Sequence, residues 1–152
     1  MKTLEHRLMI ECSETWCMRD LFNIMKNEGL DKYTQEDVMK SFRYAWSITE
    51  FLYPYKESLR LVLSIMKSHK HHFMDKEERE YLKKLPNEVW IYRGASDKNG
   101  LSWTLDREKA EWFAERNQHF MGEKMEVFKK KVHKNRIYAY LNGRKEQEII
   151  LI

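Results

Sequence analysis

Near the end of this 152-residue chain two carboxylates stand two residues apart, Glu146 and Glu148, leading into the apolar run Ile149-Ile-Leu-Ile152. Read as a strand over 146–151, the stretch puts both side chains on one face, about 7 Å apart. Two like charges at that separation repel by about 2 kcal/mol at an effective dielectric near 20, and by much less where water reaches them. A strand selected for stability alone would seldom carry such a pair. Either it is a solvated edge countered by Arg144 and Lys145, or it is held in place for a reaction.

A second set of polar side chains has the same strand logic. Ser102 and Thr104, in Leu101-Ser-Trp-Thr-Leu105, share a face, and hydroxyls so placed orient a carboxylate on a neighbouring strand or cap a following helix. Arg93 closes the apolar run Val89-Trp-Ile-Tyr92. Pointing inward it needs an anionic partner such as a ligand phosphate or carboxylate; pointing outward it is a structural arginine with its charge in water. Gly94 behind it lets backbone approach a ligand closely, or simply turns the chain. Tyr92, Trp103, Phe113 and Tyr140 either wall a flat ligand or fill the core.

The elements that must present these residues change character along the chain. Leu4, Leu8, Cys12, then Met18, Leu21, Phe22 and Met25 keep helical spacing, with a stop at Asn27-Glu-Gly29. Thr34 with Asp37 resembles an N-cap opening a helix through Val38, Phe42, Ala45, Trp46, Thr49 and Leu52, ended by Pro54. A third helix is written by Leu59, Val62, Leu63 and Met66. A fourth runs from the cap pair Asp75 and Glu78 to Leu85. Beyond Pro86-Asn87 short runs rich in Val, Ile, Tyr and Trp predict strands near 88–93, 101–104, 126–132, 136–141 and 146–151, with one helix near 106–118. The expected architecture is α+β and one compact domain: a helical half over 1–86, packed on a small, mainly antiparallel β-sheet core over 87–152.

Composition narrows the function classes. With 42% hydrophobic, 13% aromatic and 34% charged residues, the chain is neither disordered nor a membrane span. A formal charge of +4 is mild and slightly favours anionic ligands. The first residues show no secretory apolar segment, so a cytoplasmic location is expected. Cys12 and Cys17 read as reduced thiols. His69, His71 and His72 have no Cys or carboxylate at ligand spacing, so no metal is expected. The basic run Lys129-Lys-Lys131, His133, Lys134 and Arg136 reads as a lysine-protected strand edge, or as a patch for an acidic partner, RNA or DNA.

The order Arg-Gly, then Ser-x-Thr before a helix, then Glu-x-Glu on a last apolar strand resembles the mono-ADP-ribosyltransferase family, in the branch marked by Arg, Ser-Thr-Ser and Glu-x-Glu. The resemblance covers residues 88–152 and lacks the last serine of the middle motif. It implies an enzyme using NAD as co-substrate, without a metal, to modify a protein of the host or target cell. By the same resemblance Arg93 would hold the phosphate and ribose near nicotinamide, with Tyr92 beside it. The Gly94 backbone would meet the carboxamide. Ser102 would position the catalytic Glu148, Thr104 would support the strand, and Trp103 and Phe113 would line the pocket. Glu146 would face the acceptor, which in the family goes with arginine. Asn142-Gly-Arg-Lys145 falls where the family places a substrate-contacting turn. A small member without a secretory segment fits a phage-encoded modifier or an intracellular toxin. Water or nucleic acid as acceptor, and a non-catalytic binding module on the same fold, are the alternatives. No membrane partner is expected.

Overall fold

The computed structural model describes residues 2–152 and divides into two compact units, one ending at Phe73 and one spanning Met74–Ile152. The division falls ahead of the helix that follows Asp75, earlier than the change of texture at residue 86. That helix, Lys76–Lys84, belongs with the sheet: its Tyr81 stacks on Tyr140 with ring centroids 4.4 Å apart. The class is α+β, as the sequence predicts, and the strands among the described residues all lie in the second unit.

In the first unit α1 (Leu4–Glu11) is capped by Thr3, whose hydroxyl accepts from His6 N. The helical period does not run unbroken to Met25. Cys12 is extended, and a 3-10 turn at Glu14–Trp16 precedes α2 (Cys17–Glu28). Gly29, at φ +81°, ends α2 in a backbone region open chiefly to glycine. Thr34 caps α3 (Gln35–Ile48) by accepting from Asp37 N. Asp37 in turn accepts from Leu4 N at 2.8 Å, so one carboxylate ties two helix starts. Helix α3 stops at Thr49, short of Pro54, where the backbone turns extended and the Thr49 hydroxyl accepts from Met18 N in the interior. A 3-10 turn (Tyr53–Tyr55), α4 (Lys56–Ile65) and a 3-10 stretch (Lys67–Phe73) complete the unit around Leu8, Met18, Leu21, Phe42, Trp46 and Leu63.

The second unit opens with α5 (Lys76–Lys84), where Asp75 and Glu78 form a reciprocal capping box. Five strands follow: β1 (Glu88–Ala95), β2 (Ser102–Thr104), β3 (Glu126–His133), β4 (Ala139–Leu141) and β5 (Glu148–Ile150). They form one antiparallel sheet in the order β3-β1-β2-β5-β4. Helix α6 (Arg107–Met121) leaves β2 through the Asp106 cap and stops at Gly122 at φ +67°. The expected strand 136–141 is shorter, because a 3-10 turn occupies Lys134–Arg136. Strands β4 and β5 are buried along their whole length, which is why Ile149-Ile150 and Ala139-Tyr-Leu141 read as continuous apolar runs.

Candidate active site

The short strand β2 is the hinge of the site, flanked by β1 on one side and β5 on the other. Thr104 lies opposite Tyr92 of β1 and opposite Glu148 of β5, and Ser102 lies opposite Ile150. Side chains directly opposed across a ladder share a face, so Ser102, Thr104, Tyr92 and Glu148 project together. Ser102 Oγ donates to Glu148 Oε2 at 2.5 Å. Glu148 is only 7% exposed, and a carboxyl group that deep calls for hydrogen bonds and a counter-charge. The serine supplies the hydrogen bond. Arg144 Nη2 supplies positive charge, 3.9 Å from the other carboxylate oxygen, Oε1.

Glu146 reaches the same arginine by another route. The strand begins at Glu148, so the alternation that predicts a shared face for the two glutamates does not apply. Instead a turn at Asn142–Lys145 is closed by Lys145 N donating to Asn142 O, and Lys145 and Gln147 both take positive φ, 56° and 45°. Such backbone is unfavourable for residues with a Cβ and persists where surrounding bonds fix it. Three do so here. Thr104 Oγ1 donates to Glu146 O at 2.7 Å, Leu105 N donates to Gln147 O, and Gln147 N donates to Asn142 Oδ1. The outcome is a Glu146 side chain whose Oε2 lies 3.2 Å from Arg144 Nη2. The two carboxylates therefore converge on one guanidinium, and their mutual repulsion is offset there.

Thr104 fills both of the roles its position allows. Besides holding Glu146, its oxygen accepts from Asp106 N at the start of α6. Arg93 turns to the loop that joins β1 and β2: Nε donates to Asp97 O at 3.0 Å and Nη1 to Ser102 O at 2.9 Å. Gly100 packs directly on this guanidinium, leaving no room for a Cβ. Gly94 gives close approach to protein rather than to an open surface, since a Cβ there would meet the backbone of α6 at Ala110 O and Ala114 N.

The aromatics divide by face. Trp103, between Ser102 and Thr104, points to the opposite side, is 3% exposed, and donates from Nε1 to Gly100 O. Lys130 Nζ sits 4.3 Å from its ring centroid, with a pKa lowered by burial and by Arg136. Trp103 is thus a core residue, not a wall beside Ser102. Phe113 lies one turn beyond Ala110 on α6 and meets Trp112 edge-on. Tyr140 is buried against Tyr81, and burial pushes its phenol up to about 12.

Sequence reasoning named two further contributors without placing them in the catalytic set. Glu78, buried in its capping box, also accepts from Asn142 N through Oε2 at 2.6 Å, so the α5 cap anchors the turn before Glu146. Arg144 was legible as a counter-charge to the glutamates, as its ion pairs show, and as part of the turn Asn142–Lys145. The signal for both was position: a cap glutamate preceding an apolar helix, and a cation inside the Asn-Gly turn. In the first unit His71 and His72 lie 3.9 Å apart between ring centroids, yet among the described residues no group of three or more His, Cys, Asp or Glu is arranged to hold a metal. No described helix is long and apolar enough to cross a membrane. No family model, curated protein or solved structure matches the chain.

Proposed function

We propose that the unit Met74–Ile152 is an NAD-dependent mono-ADP-ribosyltransferase that transfers ADP-ribose to a protein side chain, arginine, of a target in the host cytoplasm. The observation that carries the reading is the Ser102–Glu148 hydrogen bond between two motifs 46 residues apart in sequence. In the reaction the bond from ribose C1′ to the nicotinamide nitrogen breaks and its electron pair leaves with nicotinamide. Glu148, held by Ser102, faces the positive charge that develops at C1′, which is electrostatic stabilisation aimed at the transition state. A guanidino nitrogen of the acceptor forms the new bond to C1′, and its proton passes to Glu146. An NAD phosphate at Arg93 would come to a guanidinium already donating to two carbonyls, so its first role in this reading is to fix the loop beside Ser102.

The test is label transfer from adenine-labelled NAD into a lysate by wild type and by Glu148→Ala, with proteins and nucleic acids separated afterwards. Label on protein with wild type alone is the expected result. Glu146→Ala should lose transfer to arginine while keeping hydrolysis of NAD. A second reading, nucleic acid as acceptor, draws on the edge strand β3. There Lys129 lies 5.3 Å over the half-exposed ring of Trp90, a cation and an aromatic on one open surface. Label in the nucleic-acid fraction, falling steeply with salt and with Lys129→Glu, would favour it. No label and no NAD binding by calorimetry would leave a binding module on this fold.

A further inference from the structure

Helix α6 carries a stripe that the proposed reaction does not use. Lys109, Trp112, Arg116 and Phe120 recur at three- and four-residue intervals, so they stand one above another along one face of the helix. Trp112 is 50% exposed and Phe120 74%. Lys109 Nζ lies 5.3 Å from the Trp112 ring centroid, and the Arg116 guanidinium lies 5.6 Å from that ring and 5.5 Å from Phe120. Large rings left in water add nothing to a core, and a contiguous set of them marks a surface that meets a partner.

The strands repeat the arrangement on the same side of the sheet. A Cβ on Gly94 would point at α6, and by strand alternation Trp90 and Tyr92 point that way too. Lys131 lies opposite the half-exposed Trp90, and Lys129 Nζ reaches over its ring. Exposed rings with a cation over each therefore stand on both the helix and the strands of one side.

We infer that this side of the second unit is a binding surface for single-stranded nucleic acid. Each nucleotide brings one phosphate and one flat base, which match a cation and an open ring. An acidic peptide would satisfy the cations and bring nothing that the rings call for. A duplex keeps its base faces stacked on one another and gains the phosphate contacts alone. The inference concerns binding and does not rest on the transferase reading.

The experiment titrates the purified full chain, without NAD, into fluorescein-labelled oligo(dT) and oligo(U), and follows anisotropy and tryptophan quenching at several salt concentrations. Both strands should bind, and more tightly than a duplex of equal length. Affinity should fall with salt at a log–log slope of about −2, about 0.7 for each of Lys109, Arg116 and Lys129. Trp112→Ala should weaken binding about tenfold and Trp112→Phe much less, since a ring remains. The double variant Lys109→Glu, Arg116→Glu should weaken it further, with the far-ultraviolet circular dichroism of wild type. Affinity unchanged in all of these variants, or no binding at low salt, would overturn the inference. Polyglutamate displacing the strand at equal charge would make the partner an acidic protein segment and overturn it as well. Because NAD is absent throughout, failure here leaves the transferase reading standing.

Discussion

Ser102 shows how much can depend on one hydroxyl. It is the hydrogen-bond donor that meets a carboxylate almost out of water, and a bond to a charged group contributes about 1.5–3 kcal/mol. If Glu148 works by its charge, Ser102→Ala should lower kcat for nicotinamide release by about ten- to a hundredfold while KM moves little. Steady-state release of nicotinamide measures this, and an unchanged kcat would separate Ser102 from the chemistry. The residue types at the site were legible in the sequence because strand alternation pairs Ser102 with Thr104 whatever the fold. The direction of Arg93 was not. A lone arginine after an apolar run fits a ligand phosphate or a loop carbonyl equally well, and only the path of residues 96–101 decides that it meets Asp97 O and Ser102 O.

At the scale of elements, two contacts hold the site's supports in register. Helix α6 approaches β1 where Gly94 has no side chain, and the atoms a Cβ would meet belong to helix backbone, which cannot rotate away. Gly94→Ala should therefore displace α6 and cost about 1–3 kcal/mol, read as a lower denaturant midpoint. A midpoint equal to wild type would show that the helix shifts freely. The α5 cap is the other support. Glu78→Ala removes the capping box and leaves Asn142 N without its carboxylate, a loss of about 1–2 kcal/mol, and should lower transfer activity as the turn relaxes. Glu78→Gln keeps one oxygen for Asp75 N but turns its amide NH2 on Asn142 N, so it should recover only the capping part of the loss. Two of the caps were legible, because Thr34 and Asp75 are types that bond backbone N–H groups locally. The turn at Asn142–Lys145 was not legible in detail. A strand pattern over 146–151 carries no mark that Gln147 is left-handed; that follows from bonds made by Thr104 and Leu105, some forty residues away in sequence.

For the molecule as a whole, composition set the class and the antiparallel core correctly, since period-two and period-three-to-four patterns separate cleanly along the chain. The strand order β3-β1-β2-β5-β4 is beyond such patterns, as pairing between distant strands is decided by packing. Global stability should carry a signature of acids raised by burial, among them Cys17 in the first unit and Tyr138 and Tyr140 in the second. Burial raises the Cys17 thiol from 9.0 to about 12 and the Tyr140 phenol from 10.0 to about 12. Each folded state thus keeps a proton that the unfolded chain gives up sooner, so each contribution is complete below the unfolded pKa and declines as pH rises from that value towards the folded one. The helical unit should begin to weaken near pH 9 and the sheet unit near pH 10. Denaturant midpoints taken at successive pH values should decline over this range. Cys17→Ala should lessen the decline from pH 9 to 10, and Tyr140→Phe only the part above 10. A wild-type midpoint that holds steady from pH 8 to 11 would mean that none of these groups gives up its proton sooner on unfolding.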